Sequence, residues 1–183
     1  NPPYMWAGYM NKELWDYVKK NFPDTKSDLF AVFMERNFEF TKSDWMLWFM
    51  TPFVWMFIQS YQKLRESIID TKTISSLIQL EYNAFENACI PICTFTIRNY
   101  KSDVKWDYIK LSDFRWSENQ PIKTLEAINN PEVDYKYKFD TNNFKSIPWS
   151  PIAYWVSDKV REIFEQNNKI ESICKPSIWQ NSW

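Results

Sequence analysis

Apolar residues return every three or four positions through the first forty residues, and that spacing predicts two helices. Leu14, Val18 and Phe22 share one face of a helix over about Lys12 to Asn21, with Asn11 placed to cap it. Pro23-Asp24-Thr25 is a turn. Leu29, Phe30, Phe33, Met34 and Phe38 then form the stripe of a second helix, with Ser27 as its cap and Asp28 in the first turn, where the helix dipole favours negative charge. The period changes next. Trp45 to Thr51 is a short, continuous apolar run that reads as a buried strand, and Pro52 breaks it. Phe57, Tyr61, Leu64 and Ile68 return to helical spacing across about Phe53 to Ile69. Ile74, Ile78 and Leu80 alternate toward one side of a strand over Thr73 to Leu80, and Ile92 to Arg98 is another, opened by Pro91. Strand, helix and strand in this order predict a parallel crossover and an α/β sheet.

After residue 100 the pattern weakens. Lys101 to Lys145 is polar and turn-rich, with an extended segment near Asp107 to Leu111 and a short helix near Ile122 to Ile128. Val133 to Phe139 alternates charged and aromatic residues and fits either a strand or a loop. Ser150-Pro151 is read as the start of the last helix, with Pro at its first position and Val156, Val160, Ile163 and Phe164 on its inner face as far as about Asn167.

A length of 183 residues with 45% hydrophobic and 25% charged residues supports a folded core. The net charge of −1 offers no global basic field for a nucleic acid, so any such partner needs a local positive surface. The longest apolar run, Trp45 to Ile58, is interrupted and too short for a membrane-spanning helix of about 20 residues. Cys89, Cys93 and Cys174, with no His, argue against a zinc site and for a reducing, intracellular setting. Without His there is no Ser-His-Asp or Cys-His arrangement, and with 1 Gly there is no glycine-rich phosphate loop.

The candidate chemistry sits at the first four residues, Asn1-Pro2-Pro3-Tyr4. The Asn1 amide oxygen and the Pro2 carbonyl are two hydrogen-bond acceptors. The prolines stiffen the chain between them, because each fixes its own φ and restricts its predecessor. Tyr4 adds a flat aromatic surface. Two rigid acceptors beside an aromatic face suit the exocyclic amino group of a flipped-out base. Asn-Pro-x-Tyr is also a peptide motif for phosphotyrosine-binding domains, but that use needs an exposed tail, and four residues also match by chance.

The tetrapeptide resembles the (Asp/Asn/Ser)-Pro-Pro-aromatic motif of amino-group DNA methyltransferases. The blocks NPPYMWAGYMNKELWDYVKKNFPDTKSDLFAVFMER, MTPFVWMFIQSYQKLRESI and IPWSPIAYWVSDKVREIFE together resemble the adenine-specific methylase of BREX phage-resistance systems, the PglX type. The resemblance implies the later half of a Rossmann-like methyltransferase sheet, ending in an antiparallel hairpin and followed by a helical or irregular extension. It implies a partial catalytic domain over 1–100 and, over 101–183, a linker leading toward a DNA-reading region. It implies S-adenosylmethionine as methyl donor, held by a glycine-rich turn ahead of the tetrapeptide. The implied substrate is double-stranded DNA with a flipped adenine, in a bacterial cytoplasm, with other phage-defence proteins as possible partners and no membrane. Asn1 and Pro2 would be catalytic, Tyr4 would stack on the base, Pro3 would be structural, and Phe85 would meet the base's other face or else plug the hairpin core. Cytosine, RNA and protein glutamine are alternative substrates for the same tetrapeptide, and an aromatic-rich binding domain is the non-enzymatic alternative. Opening on the motif itself, the chain reads as an internal piece of a longer protein.

One Gly against 11 Trp is far from ordinary usage, which gives roughly 13 Gly at this length. The resembling family commonly has Gly where this chain has Trp6, Trp45, Trp149 and Trp179, but Trp where it has Trp55 and Trp155. We expect some of the Trp codons to be glycine codons, UGA read under another code; TGG at Trp6, Trp45 and Trp149 refutes it.

Overall fold

A computed structural model describes residues 2–85 and 89–166. Five strands form one sheet: β1 (Met46–Pro52), β2 (Thr73–Gln79), β3 (Ile92–Arg98), β4 (Trp106–Lys110) and β5 (Lys136–Phe139). The helices are α1 (Lys12–Asn21), α2 (Leu29–Phe40), α3 (Gln62–Thr71), α4 (Asn119–Asn129) and α5 (Asp158–Gln166). The strand order is β1-β3-β2-β4-β5. β3 is antiparallel to both β1 and β2, so those two run parallel with β3 between them. The expected crossover is therefore present, but it spans a strand, and β2 and β3 form the expected hairpin. The sheet does not stop at residue 100, because β4 pairs parallel with β2 and β5 antiparallel with β4.

Several local expectations change. α1 has the expected bounds, and the Asn11 side chain accepts from the Leu14 amide at 2.9 Å. α2 is capped by Asp28 rather than Ser27, since the Asp28 carboxylate accepts from the Phe30 amide while the Ser27 carbonyl is taken by the Ala7 amide. β1 is an edge strand, exposed and buried by turns rather than continuously buried, with Met46 and Trp48 facing out. The helix expected from Phe53 begins only at Gln62, because two 3-10 turns, Phe53–Met56 and Gln59–Tyr61, come first. A bulge between Ile74 and Ser76 shifts the phase of β2. Ile74 and Leu77 therefore enter the main core, whereas Ile78 and Leu80 pack with Ile109, Leu111, Ala127 and Tyr135. Pro151 does not start a helix. Ile152, Ala153 and Tyr154 are buried without regular structure, α5 begins at Asp158, and Val160, Ile163 and Phe164 are exposed among the described residues.

The main core joins Phe30 and Met34 of α2, Leu64 and Ile68 of α3, the inner faces of β1 to β4, and Trp55. Trp55 is fully buried and lies 5.0 Å from the Phe95 ring. Arg65 is also fully buried. Its guanidinium donates to four backbone carbonyls, those of Trp55 (2.8 Å), Ile58 (2.7 Å), Trp149 (2.8 Å) and Ser150 (3.1 Å). A buried charge survives only when its donors are satisfied, and here backbone oxygens do it. No helix among the described residues is long and apolar enough to cross a membrane.

Candidate active site

The chain start lies against β1. Pro2 is half-buried and Pro3 exposed. The Tyr4 hydroxyl donates to the Met50 carbonyl at 3.2 Å, and its ring meets Phe30 edge-on at 6.3 Å. The ring remains 36% exposed. Burial, with Cys93 and Asp28 nearby, holds the hydroxyl above the usual tyrosine range, so it is a neutral donor at physiological pH. Asn1, the sequence-predicted acceptor, lies outside the described residues.

The next residues are fixed by α2. The Met5 amide donates to Asp28 Oδ1 at 3.0 Å, the Leu29 amide to the Met5 carbonyl at 3.1 Å, and the Ala7 amide to the Ser27 carbonyl at 3.0 Å. Trp6 and Asp28 form an isolated antiparallel bridge. A short ladder thus ties the exit of the tetrapeptide to the start of the helix.

β1 and β2 both end, and β3 begins, at the same edge of the sheet. Tyr4 is anchored in the second half of β1, and Phe85 stands 40% exposed in the connection from β2 to β3. The topology therefore brings Tyr4 and Phe85 to one edge. Beneath it, Cys93 is buried 3.9 Å from Thr51 Oγ1, and burial pushes its thiol up to about 12. Such a thiol stays protonated and is a packing residue, not a nucleophile. Tyr154 donates to Gln79 Oε1 at 3.1 Å, which satisfies another buried polar group under the same edge. A cavity of about 390 Å³ runs between Pro2, Pro3, α2 and the outer side of β1, lined by Phe33, Asn37, Met46 and Trp48 among others.

Sequence reasoning did not give Asp28 its role on Met5 or the Met50 carbonyl its role on Tyr4. Asp28 was visible as a helix-start residue, but its second bond spans 23 residues. Among the described residues no group of His, Cys, Asp and Glu is arranged to hold a metal.

The model of the Eco57I restriction-modification methylase family matches residues 1–85. The adenine-specific methyltransferase PglX of Lacticaseibacillus casei is 37% identical over 172 residues, covering 92% of this chain and 14% of its own length. The adenine-specific methyltransferase BrxX of Escherichia coli O9:H4 is 35% identical over 161 residues, covering 86% of this chain and 13% of its own. This chain belongs to the PglX and BrxX family. It spans about one seventh of the length of these relatives. In fold, it superposes on the type I restriction-modification methyltransferase subunit of Streptococcus thermophilus with a TM-score of 0.57 at 15% identity, covering 73% of this chain and 33% of that one. The PglX-type sequence and the methyltransferase-like α/β sheet agree.

Proposed function

We propose that this PglX-type chain carries the base-gripping part of an adenine-specific DNA methyltransferase acting in phage defence or restriction-modification. The observation that carries this reading is Tyr4, anchored through Met50 at the sheet edge where β1 and β2 end, with its ring still open to solvent. Relatives named as adenine-specific methyltransferases support it.

The Asn1 amide oxygen and Pro2 carbonyl accept hydrogen bonds from the adenine amino group, which keeps electron density on the nitrogen. The flipped base stacks on Tyr4, and Phe85 faces it from the β2–β3 connection. S-adenosylmethionine, when bound, would supply an activated methyl group. Asn1 and Pro2 would hold the amino nitrogen in place for it, and that nitrogen would give up its proton to solvent. No strong base is needed; orientation and acceptors fixed in advance do the work. The cavity beside Pro2 and Pro3 is lined by Asn37, Thr41 and apolar side chains, with no charged side chain to meet the donor's amino and carboxylate groups. The described residues around it are therefore assigned to the base.

The test is Asn1→Ala in the full-length protein, with methylation of adenine in double-stranded DNA and DNA binding measured together. Methylation is expected to be lost with binding largely kept. Equal loss of both would make Asn1 structural and end the reading.

A further inference from the structure

We propose that Asp28 is the positioning residue of this site, holding the tetrapeptide to the first turn of α2. This rests on the reading that Asn1 to Tyr4 grips the base. One carboxylate oxygen accepts from two amides, Met5 at 3.0 Å and Phe30 at 3.3 Å. The first belongs to the residue after Tyr4 and the second to the helix that it caps. The Leu29-to-Met5 and Ala7-to-Ser27 bonds complete the joint. α2 is itself locked into the core through Phe30, Ala31 and Met34. The direction of Pro3-Tyr4 is thereby set by a packed helix rather than by a loop. A displacement of about 1 Å at a reacting group costs on the order of 100-fold in rate.

The experiment compares Asp28→Ala, Asp28→Asn and Asp28→Ser in the full-length protein, reading kcat, KM for DNA and melting temperature, with Asn1→Ala as reference. Ser still caps a helix but is too short to serve both amides. Asp28→Ala and Asp28→Ser are expected to lower kcat by about 10- to 100-fold with KM little changed, Asp28→Ser at nearly unaltered melting temperature. Asn, with an amide oxygen in the same place, should restore most of the rate. A kcat within about twofold of wild type in Asp28→Ser, or no rescue by Asn, overturns the positioning role. If Asn1→Ala retains methylation, the base-gripping reading fails first; if Asn1→Ala is dead and Asp28→Ser is active, only Asp28's role fails.

A different observation carries a second inference. Among the described residues, the non-glycine positions with positive φ are Trp116 (77°), Trp149 (68°) and Ser150 (51°), and the lone Gly8 is not at positive φ. A bulky side chain in the left-handed region is strained, and glycine is the usual occupant. Both Trp side chains are largely exposed, at 66% and 58%. What lies beneath fixes both backbones. Buried Arg65 holds the carbonyls of Trp149 and Ser150, and buried Gln120 reaches the Trp116 carbonyl at 3.3 Å while accepting from the Glu81 amide. We infer that positions 116 and 149 are glycine in the protein as its cell makes it. Their codons are then UGA, which is one base from Gly GGA and from Trp UGG. Trp55, fully buried against Phe95, is built as tryptophan. Sequencing the gene and weighing peptides of the native protein tests this. UGA codons at 116 and 149 with glycine masses, and UGG at 55, are expected. UGG or a tryptophan mass at either 116 or 149 overturns the assignment.

Discussion

Arg65 pins the turn at 149 and 150 to the main core. It joins α3 to the 3-10 turns at Trp55 and Ile58 and to the left-handed pair at 149 and 150. Arg65→Met leaves four carbonyls short of a donor, at about 1–3 kcal/mol for each that water cannot reach. A loss on the order of 3–5 kcal/mol is expected, read as a lower urea midpoint at unchanged slope. The cysteines separate as cleanly. Cys89 is exposed and Cys93 is buried, so a maleimide should label Cys89 in the folded protein and Cys93 only after denaturant is added, as peptide mapping would show. The first contrast was not legible in sequence, where Arg65 reads as an ordinary helix charge. The second was legible in part, because the strand expected from Ile92 to Arg98 holds Cys93 and leaves Cys89 outside.

At the scale of elements, what is written locally was readable and what is made by long-range pairing was not. Asn11 and α1 followed from the side chain's reach to its own helix. Asn11→Ala should cost about 1 kcal/mol, seen as a small drop in melting temperature, because Val18 of α1 and Phe22 just after it still pack on Leu29 and Val32. The caps of α2 were one residue out because Asp28 answers to Met5 as well as to its helix. The bulge in β2 turned a single alternation into burial on both faces, a change no period-2 count contains. Pro151 was read by its favoured place in helices, yet the Ile152 amide is drawn to the Met56 carbonyl at 2.9 Å, which keeps that stretch out of a helix. For the candidate site, the sequence singled out the tetrapeptide and the aromatic at 85 as candidates, while the joint to α2 was not legible there.

At the scale of the whole molecule, burial raises the titration of Cys93 to about 12 and holds Tyr61, Tyr108 and Tyr154 above the ordinary phenol range. These groups ionise more readily unfolded than folded. Stability is therefore fully present below about pH 9 and falls as pH rises through the thiol and phenol range. Arg65, drawn down to about 10 by burial, works the other way, as do Lys72 and Arg161, but the raised groups, which also include Tyr4 and Tyr135, outnumber them. Urea midpoints measured from pH 7 to 11 should be level at first and then decline; a rise above pH 9 would contradict these environments. The strand order has a temporal consequence. β1 is complete at residue 52, but the partner that pairs with it ends at Arg98, 46 positions beyond the last residue of β1. On the ribosome, at about 5–20 residues per second, several seconds pass in which an aromatic-rich ribbon has emerged and its neighbour has not. In refolding from denaturant β3 is present from the start, but its long-range pairing with β1 must still close before the ribbon is covered, which makes this ribbon the place where chains would stick to one another.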